Sequence, residues 1–224
     1  TAFDLPDDAI VFMAGSTQAP EESFAIDTYM ALKVQHPSLR LVLVPRHQER
    51  FEEVANIVLS RGLPLLRRSH LRANRPFPGG TPDAAPRSGS NAPHSMCPVL
   101  LLDTLGELGA AWGMADIAFV GGSLTRRGGQ NMIGPAAYAA AVLFGPNTWN
   151  CRQVVDLLVS EQAARVVSTS DELTQTVREC LNSPSTVREL GQRAQQLVLQ
   201  QQGATDRTIA LIVDSISARA DFMS

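Results

Sequence analysis

Short, continuous apolar runs alternate along this chain with longer segments whose apolar residues recur every three or four positions. That alternation predicts strands and helices arranged as βαβ units of a parallel sheet. Residues 9–14 (AIVFMA) read as a buried strand that stops at Gly15-Ser16-Thr17. Over residues 20–35, Phe24, Ile26, Tyr29, Met30, Leu32 and Val34 predict a helix with one mostly apolar side. Pro20 suits its first turn, and Glu21 and Glu22 complement the positive end of its dipole. A second strand over 39–44 runs into Pro45-Arg46-His47. A second helix over 49–61 follows, with Gly62 placed as its C-terminal cap. Residues 63–66 read as a short strand.

The pattern then fails. Between Ser69 and Pro98 lie Pro76, Pro78, Pro82, Pro86, Pro93 and Pro98 among glycines and serines. This composition cannot bury a core, so residues 70–98 are expected to form a mobile surface insertion, a tolerated one rather than a functional lid. Periodicity resumes with a strand over 99–102, a turn over 103–106, a helix over 107–114 and a strand over 117–120 that leads into Gly121-Gly122-Ser123. A helix over 136–140, a strand over 142–144, a helix over 153–160 and a strand over 165–167 follow. Helices over 171–181, 185–201 and 205–218 close the chain, with Ser170 as N-cap of the first. The expected fold is a Rossmann-like, doubly wound parallel sheet of about six strands, helices on both faces and further helices at the C-terminus.

Composition narrows this picture. A chain of 224 residues can form one domain over residues 1–224, burying roughly 70% of its unfolded surface. Hydrophobic content of 44% with 18% charged residues excludes disorder of the whole chain. A net charge of −3 gives nucleic acid no electrostatic footing. Cys97, Cys151 and Cys180 form no CxxC, so reduced thiols in a cytoplasmic compartment are expected. His36, His47, His70 and His94 lack ligand spacing, and neither a metal nor a cofactor is expected. No apolar run approaches the roughly 20 residues needed to cross a bilayer, and no signal-peptide pattern opens the chain. The chain enters a strand pattern almost at once, as a domain excised from a longer protein would.

Ligands of open parallel sheets bind beyond the carboxyl ends of the strands, where helix N-termini and loop amides converge. Five unusual segments fall there: Gly15-Ser16-Thr17, Pro45-Arg46-His47, residues 103–107, Gly121-Gly122-Ser123 and Gly128-Gly129-Gln130-Asn131. A glycine pair after a strand is often only a tight turn. Five such segments on one edge predict a site for an anionic ligand, a nucleotide above all. Gly121-Gly122-Ser123 lets the backbone approach a ligand, and Gly128-Gly129, expected to precede a helix directly, would offer free N–H groups. Neither a GxGxxG fingerprint nor a P-loop is present. Arg46 can grip a phosphate bidentately or serve as a surface arginine. Arg126 and Arg127 contact phosphate or a sugar acid, or are solvated. Glu107, after Gly106, either complements a helix dipole or lines the site. Trp112 and Trp149 read as packing residues. No Ser/His/Asp order or paired carboxylate forms a hydrolytic site, so no catalytic residue is assigned.

In this order the segments AGSTQAPEE (14–22), LVLVPRHQERFEEV (41–54), LLLDTLGELG (100–109), ADIAFVGGSLTRRGGQN (115–131) and VLFGPNTWN (142–150) resemble the C-terminal half of 3-deoxy-D-manno-octulosonic acid (Kdo) transferases. The resemblance spans most of the chain outside the proline-rich insertion and implies a GT-B C-terminal, donor-binding domain. It implies that CMP-Kdo is the donor and a lipid A precursor the acceptor, in lipopolysaccharide biosynthesis. An N-terminal domain outside this chain would supply the acceptor site and the carboxylate base. The whole protein is expected to be peripherally bound at the cytoplasmic face of the inner membrane. The donor site would comprise Ser16, Thr17, Arg46, His47, Gly106, Glu107, Gly121, Gly122, Ser123, Arg127, Gly128, Gly129, Gln130 and Asn131. Arg46 would hold the CMP phosphate, and Asn131 would fix the following loop.

Two positions depart from the family's pattern. Its GGHN reads Gly128-Gly129-Gln130-Asn131, and the glutamate usual shortly after, before a proline, is Gly134 ahead of Pro135. Losing one charge-assisted hydrogen bond to the ribose costs about 1.5–3 kcal/mol, or more than tenfold in affinity. A different sugar-nucleotide donor such as a UDP-sugar, or a diverged nucleotide-binding or structural module, are the alternatives.

Overall fold

The first strand, β1 (Ile10–Thr17), is buried on both faces. Phe12 and Ala14 enter one core, Val11 and Met13 the other. A strand covered on both sides reads as a continuous apolar run, because neither face meets water. The computed structural model describes Phe3 and residues 5–73 and 97–201. Most of the expected insertion and the expected helix over 205–218 lie outside these residues.

Six more strands pair with β1. They are β2 (Leu39–Pro45), β3 (Leu65–Arg67), β4 (Val99–Leu101), β5 (Ile117–Val120), β6 (Ala141–Phe144) and β7 (Ala164–Val166). All pairings are parallel, in the order β3-β4-β2-β1-β5-β6-β7. The sheet therefore has seven strands instead of the about six expected of a doubly wound fold; both edge strands are only three residues long.

Helices cover the two faces. One core joins the sheet to α1 (Glu21–Leu32), α2 (Phe51–Ser60) and α7 (Ser170–Asn182), through Ile26, Tyr29, Val54, Val58, Leu173 and Val177. The other face carries α4 (Leu108–Ala111), α5 (Ile133–Ala137), α6 (Arg152–Ser160) and α8 (Pro184–Gln201), with Trp112, Ala136, Leu158 and Ala194 in the second core. Beyond β3 lies α3 (Arg68–Ala73), so the insertion begins as helix, not as loop.

Local differences have local causes. The helix after β1 ends at Leu32, and Val34 beyond it is 80% exposed, so the last apolar position of the pattern faces water. The helix expected over 136–140 forms earlier, over α5. The N-cap of α7 is Thr169, not Ser170: Thr169 is extended and its hydroxyl accepts the Glu172 N–H at 3.1 Å. Glu172 in turn accepts the Ser168 N–H at 2.6 Å, a reciprocal capping arrangement. Gly62 caps α2 as expected, with φ +69°.

The neighbours of β1 are β2 on one side and β5 on the other, so strand order reverses at β1. The crevice outside the carboxyl ends of β1, β2 and β5 is thus where this topology places a ligand.

Candidate functional site

At that edge the chain is stitched into one lattice. The strand β1 ends in a register shift between Gly15 and Thr17, and Ser16 there adopts φ +55°. A non-glycine residue held in this region stores strain of about 1–3 kcal/mol, a condition that clusters at ligand sites. The Thr17 carbonyl accepts the Arg46 N–H at 3.0 Å, and the Gly15 carbonyl accepts the Gly121 N–H at 2.8 Å. The loops after β2, β1 and β5 are therefore bound edge to edge. Gly121 is demanded by that approach, since a Cβ there would lie 2.5 Å from Thr17 Cα.

The glycine-rich cradle exists, and a carboxylate of the chain itself occupies it. Glu21, fully buried at the start of α1, accepts the N–H groups of Gln18 (3.0 Å) and Gly122 (2.7 Å) on Oε2. On Oε1 it accepts those of Ser123 and Leu124, at 3.0 Å each. Burial pushes the Glu21 carboxyl up, and the four N–H bonds offset this only in part. The Gly122 and Ser123 amides thus face Glu21 and not an external anion. Ser123 is likewise internal: its hydroxyl donates to Val120 O at 2.5 Å and accepts the Gly145 N–H at 2.8 Å.

Gly128-Gly129 does not abut a helix, because α5 starts only at Ile133. The Gly129 N–H donates to Gly122 O at 2.8 Å, closing the loop on itself. Asn150 donates its side-chain amide to Arg127 O (3.0 Å) and Gly129 O (3.2 Å), while a Cβ at Gly128 would meet the Trp149 ring at 2.4 Å. Asn131 accepts the Ile133 N–H at 2.9 Å, fixing the turn that follows as expected. The Gln130 carbonyl accepts the Cys151 thiol at 3.1 Å. A cleft of about 400 Å³ opens beside this loop, lined by Asn131, Met132, Trp149, Asn150, Cys151 and Arg152 among others.

The cations at this edge face water. Arg46, His47, Arg126 and Arg127 are exposed, whereas Arg50, Arg61, Arg67, Arg68 and Arg193 are engaged in ion pairs. Glu107 accepts both Arg68 bonds at 3.2 Å and the Thr104 hydroxyl; its side chain does not cap α4. Gly106 precedes it with φ +81°. Asp103, nearly fully buried, accepts Arg67 Nε and Ser69 Oγ at 2.6 Å and the Ser69 N–H at 2.8 Å. Burial pushes its carboxyl up, but the Ser69 and Arg67 bonds outweigh that and hold it below its usual range.

Sequence reasoning passed over Glu21 as a ligand of the loop, the Glu22–Arg50 pair (2.5 Å) and the Arg67–Asp103 pair. The available signal was the position of acidic residues inside otherwise apolar or small-residue segments that lead off strands. Among the described residues no group of three or more His, Cys, Asp or Glu side chains could hold a metal ion. Nor is any helix among them long and apolar enough to cross a membrane.

No protein-family profile matches the chain. It is 32% identical over 206 residues to the 3-deoxy-D-manno-octulosonic acid transferase of Haemophilus influenzae, covering 92% of this chain and 44% of that protein. The same enzyme of Bordetella pertussis is 30% identical over 207 residues, with 91% and 44% covered. Among solved structures, the C-terminal CMP-Kdo binding domain of WaaA from Acinetobacter baumannii matches with a TM-score of 0.72 at 28% identity. That match covers 87% of this chain and 91% of that one. The chain thus spans less than half the length of the curated relatives it matches.

The seven-stranded parallel sheet, with its loop lattice at the β1–β5 reversal, is the fold of a GT-B glycosyltransferase C-terminal domain. Within that class the chain is a relative of the Kdo transferases, matching them across about nine-tenths of its own length.

Proposed function

We propose that this chain is the donor-binding half of a transferase that moves Kdo from CMP-Kdo onto a hydroxyl of a lipid A precursor, in lipopolysaccharide biosynthesis. The observation that carries the reading is the similarity to Kdo transferases over 92% of the chain. It coincides with unpaired, exposed arginines at the edge where this fold binds ligands. Residues 1–224 act as one donor-binding unit, and the remainder of the protein supplies the acceptor site, the base and attachment to the cytoplasmic face of the inner membrane.

In this reading Ser16, Thr17, Gly106, Gly121, Gly122, Ser123, Gly128 and Gly129 shape the backbone floor. Arg46, His47, Glu107, Arg127, Gln130 and Asn131 form the rim. Arg46 meets the CMP phosphate and Arg127 the carboxylate of the sugar acid. The acceptor oxygen attacks the anomeric carbon while the bond from that carbon to the phosphate oxygen breaks, and CMP leaves with the bonding pair. The acceptor proton goes to the base in the other domain. Because the loop amides are held by Glu21, charge on departing CMP is stabilised by side-chain cations.

Gly134 departs from the family's pattern, and a UDP-sugar donor or a diverged module is the alternative. The missing carboxylate weakens the hold on the ribose of CMP and UDP alike, so only binding separates the donors. Calorimetric titration of the 224-residue chain with CMP and with UDP separates the two. CMP binding in preference to UDP supports the first reading and the reverse supports the second. Absence of binding by both sinks the sugar-nucleotide site.

A further inference from the structure

Three consecutive N–H groups, those of Gly122, Ser123 and Leu124, converge on the Glu21 carboxylate at 2.7 to 3.0 Å. Successive amides in such a concave loop form a nest that ordinarily receives a bound anion. Here the anion comes from α1, across about a hundred residues of sequence. Gly121 and Glu21 are matched: a Cβ on Gly121 would stand 2.8 Å from Glu21 Oε2. Gly122, at φ +68°, turns the chain through the nest, and its carbonyl then accepts the Gly129 N–H at 2.8 Å. Everything between, including Arg126 and Arg127, hangs on a loop whose two ends are fixed at Gly122.

We propose that Glu21 is the positioning residue of this edge. Its carboxylate stands in the nest where a ligand anion would otherwise bind, and so holds the 121–129 loop and its arginines in the ligand-receiving arrangement. The inference rests on reading the edge as a sugar-nucleotide site. Its consequence is that the ligand's phosphate is met by exposed guanidinium groups and not by the nest amides.

The test uses Glu21→Ala and Glu21→Gln in the 224-residue chain, with CMP as the probe. At a temperature where the variant is fully folded by circular dichroism, Glu21→Ala is expected to bind CMP at least about tenfold more weakly. Added formate, which fits the vacated nest, should restore both affinity and melting temperature; neutral acetamide should not. Glu21→Gln, which turns one N–H toward the amides, should bind CMP weakly and gain nothing from formate. Unchanged CMP affinity in a folded Glu21→Ala chain would overturn the proposal. If that variant does not fold, amide exchange of the parent chain decides instead. Strong protection of Gly122, Ser123 and Leu124 is the expected result, and loop-like exchange at these three overturns it. Failure of the parent chain to bind CMP would count against the sugar-nucleotide reading, while exchange and the formate effect on melting temperature still report on Glu21.

Discussion

The indole of Trp112 fills the space that a side chain at position 134 would need. A Cβ added to Gly134 would lie 2.9 Å from its Cδ1 and 3.0 Å from its Nε1. The far edge of the same ring presses on β1, where a Cβ at Gly15 would come within 2.4 Å of it. Gly134 is therefore half of a packing arrangement whose other half is Trp112. Gly134→Ala is expected to cost about 1–3 kcal/mol through overpacking. In a Trp112→Leu background the cost should largely disappear. Urea denaturation of the four proteins in a double-mutant cycle measures the coupling, and additive effects would exclude the contact.

Arg50 belongs to the PRHQER segment, and its partner is a buried carboxylate. Its Nη1 lies 2.5 Å from Oε1 of Glu22, whose side chain is fully buried, and its Nη2 reaches the exposed Glu53 at 2.8 Å. The second Glu22 oxygen has no hydrogen-bond partner among the described residues, so the pair with Arg50 is what compensates this charge. Arg50→Ala should cost about 3–5 kcal/mol, because it strands the carboxylate. Arg50→Met combined with Glu22→Leu should recover most of that. Guanidinium unfolding checks both, and a loss no larger than the ~0–1 kcal/mol of a surface pair would refute the account.

The sheet was legible because strands such as β1 and β5 are buried on both faces and announce themselves as unbroken apolar runs. The glycines of the candidate edge were legible for a related reason: Gly121 and Gly128 stand where close approach forbids a side chain. What touches them was not legible. At Gly121 the neighbours are Thr17 and Glu21, and at Gly128 they are Trp149 and Asn150. Contacts between such distant positions leave no periodic trace. A glycine spared for the protein's own packing looks, in sequence, like one spared for a ligand. Thr169 and Ser170 show the same limit locally, since both residue types cap helices and only the backbone angle decides between them.

Asp103 sets an acid-side dependence of stability. Although burial pushes its carboxyl up, the Ser69 and Arg67 bonds leave it depressed. A depressed native pKa stabilises the fold above the unfolded value, about 3.9, and that contribution is lost as pH falls through the native value. The stability difference between the parent chain and Asp103→Asn should therefore shrink progressively below about pH 5. Glu21 carries the opposite sign. Its carboxyl is raised, chiefly by burial, so the titration-linked stability it adds is full in acid and fades as pH rises through the raised value. Denaturant midpoints of Asp103→Asn and Glu21→Gln across the acid range should diverge from the parent in opposite directions. Parallel behaviour would mean that the four N–H bonds outweigh burial at Glu21, or that burial outweighs the Ser69 and Arg67 bonds at Asp103.

Arg46 should separate binding from folding. Its side chain is exposed, and its backbone N–H to Thr17 O survives any substitution other than proline. Arg46→Ala is thus expected to leave denaturant stability within about 0.5 kcal/mol of the parent, as exposed substitutions do. CMP affinity should fall more than tenfold, the worth of about 1.5–3 kcal/mol for a hydrogen bond to a charged group. Arg46→Lys keeps the charge but loses the planar fork, so its affinity should lie between the two. Raising salt should weaken CMP binding to the parent chain more steeply than to Arg46→Ala, since one ionic contact is already missing in the variant. Titration calorimetry at two salt concentrations measures all three effects. Equal CMP affinity in the parent and Arg46→Ala would remove Arg46 from the site and leave the phosphate to Arg126 and Arg127 on the loop that Glu21 holds.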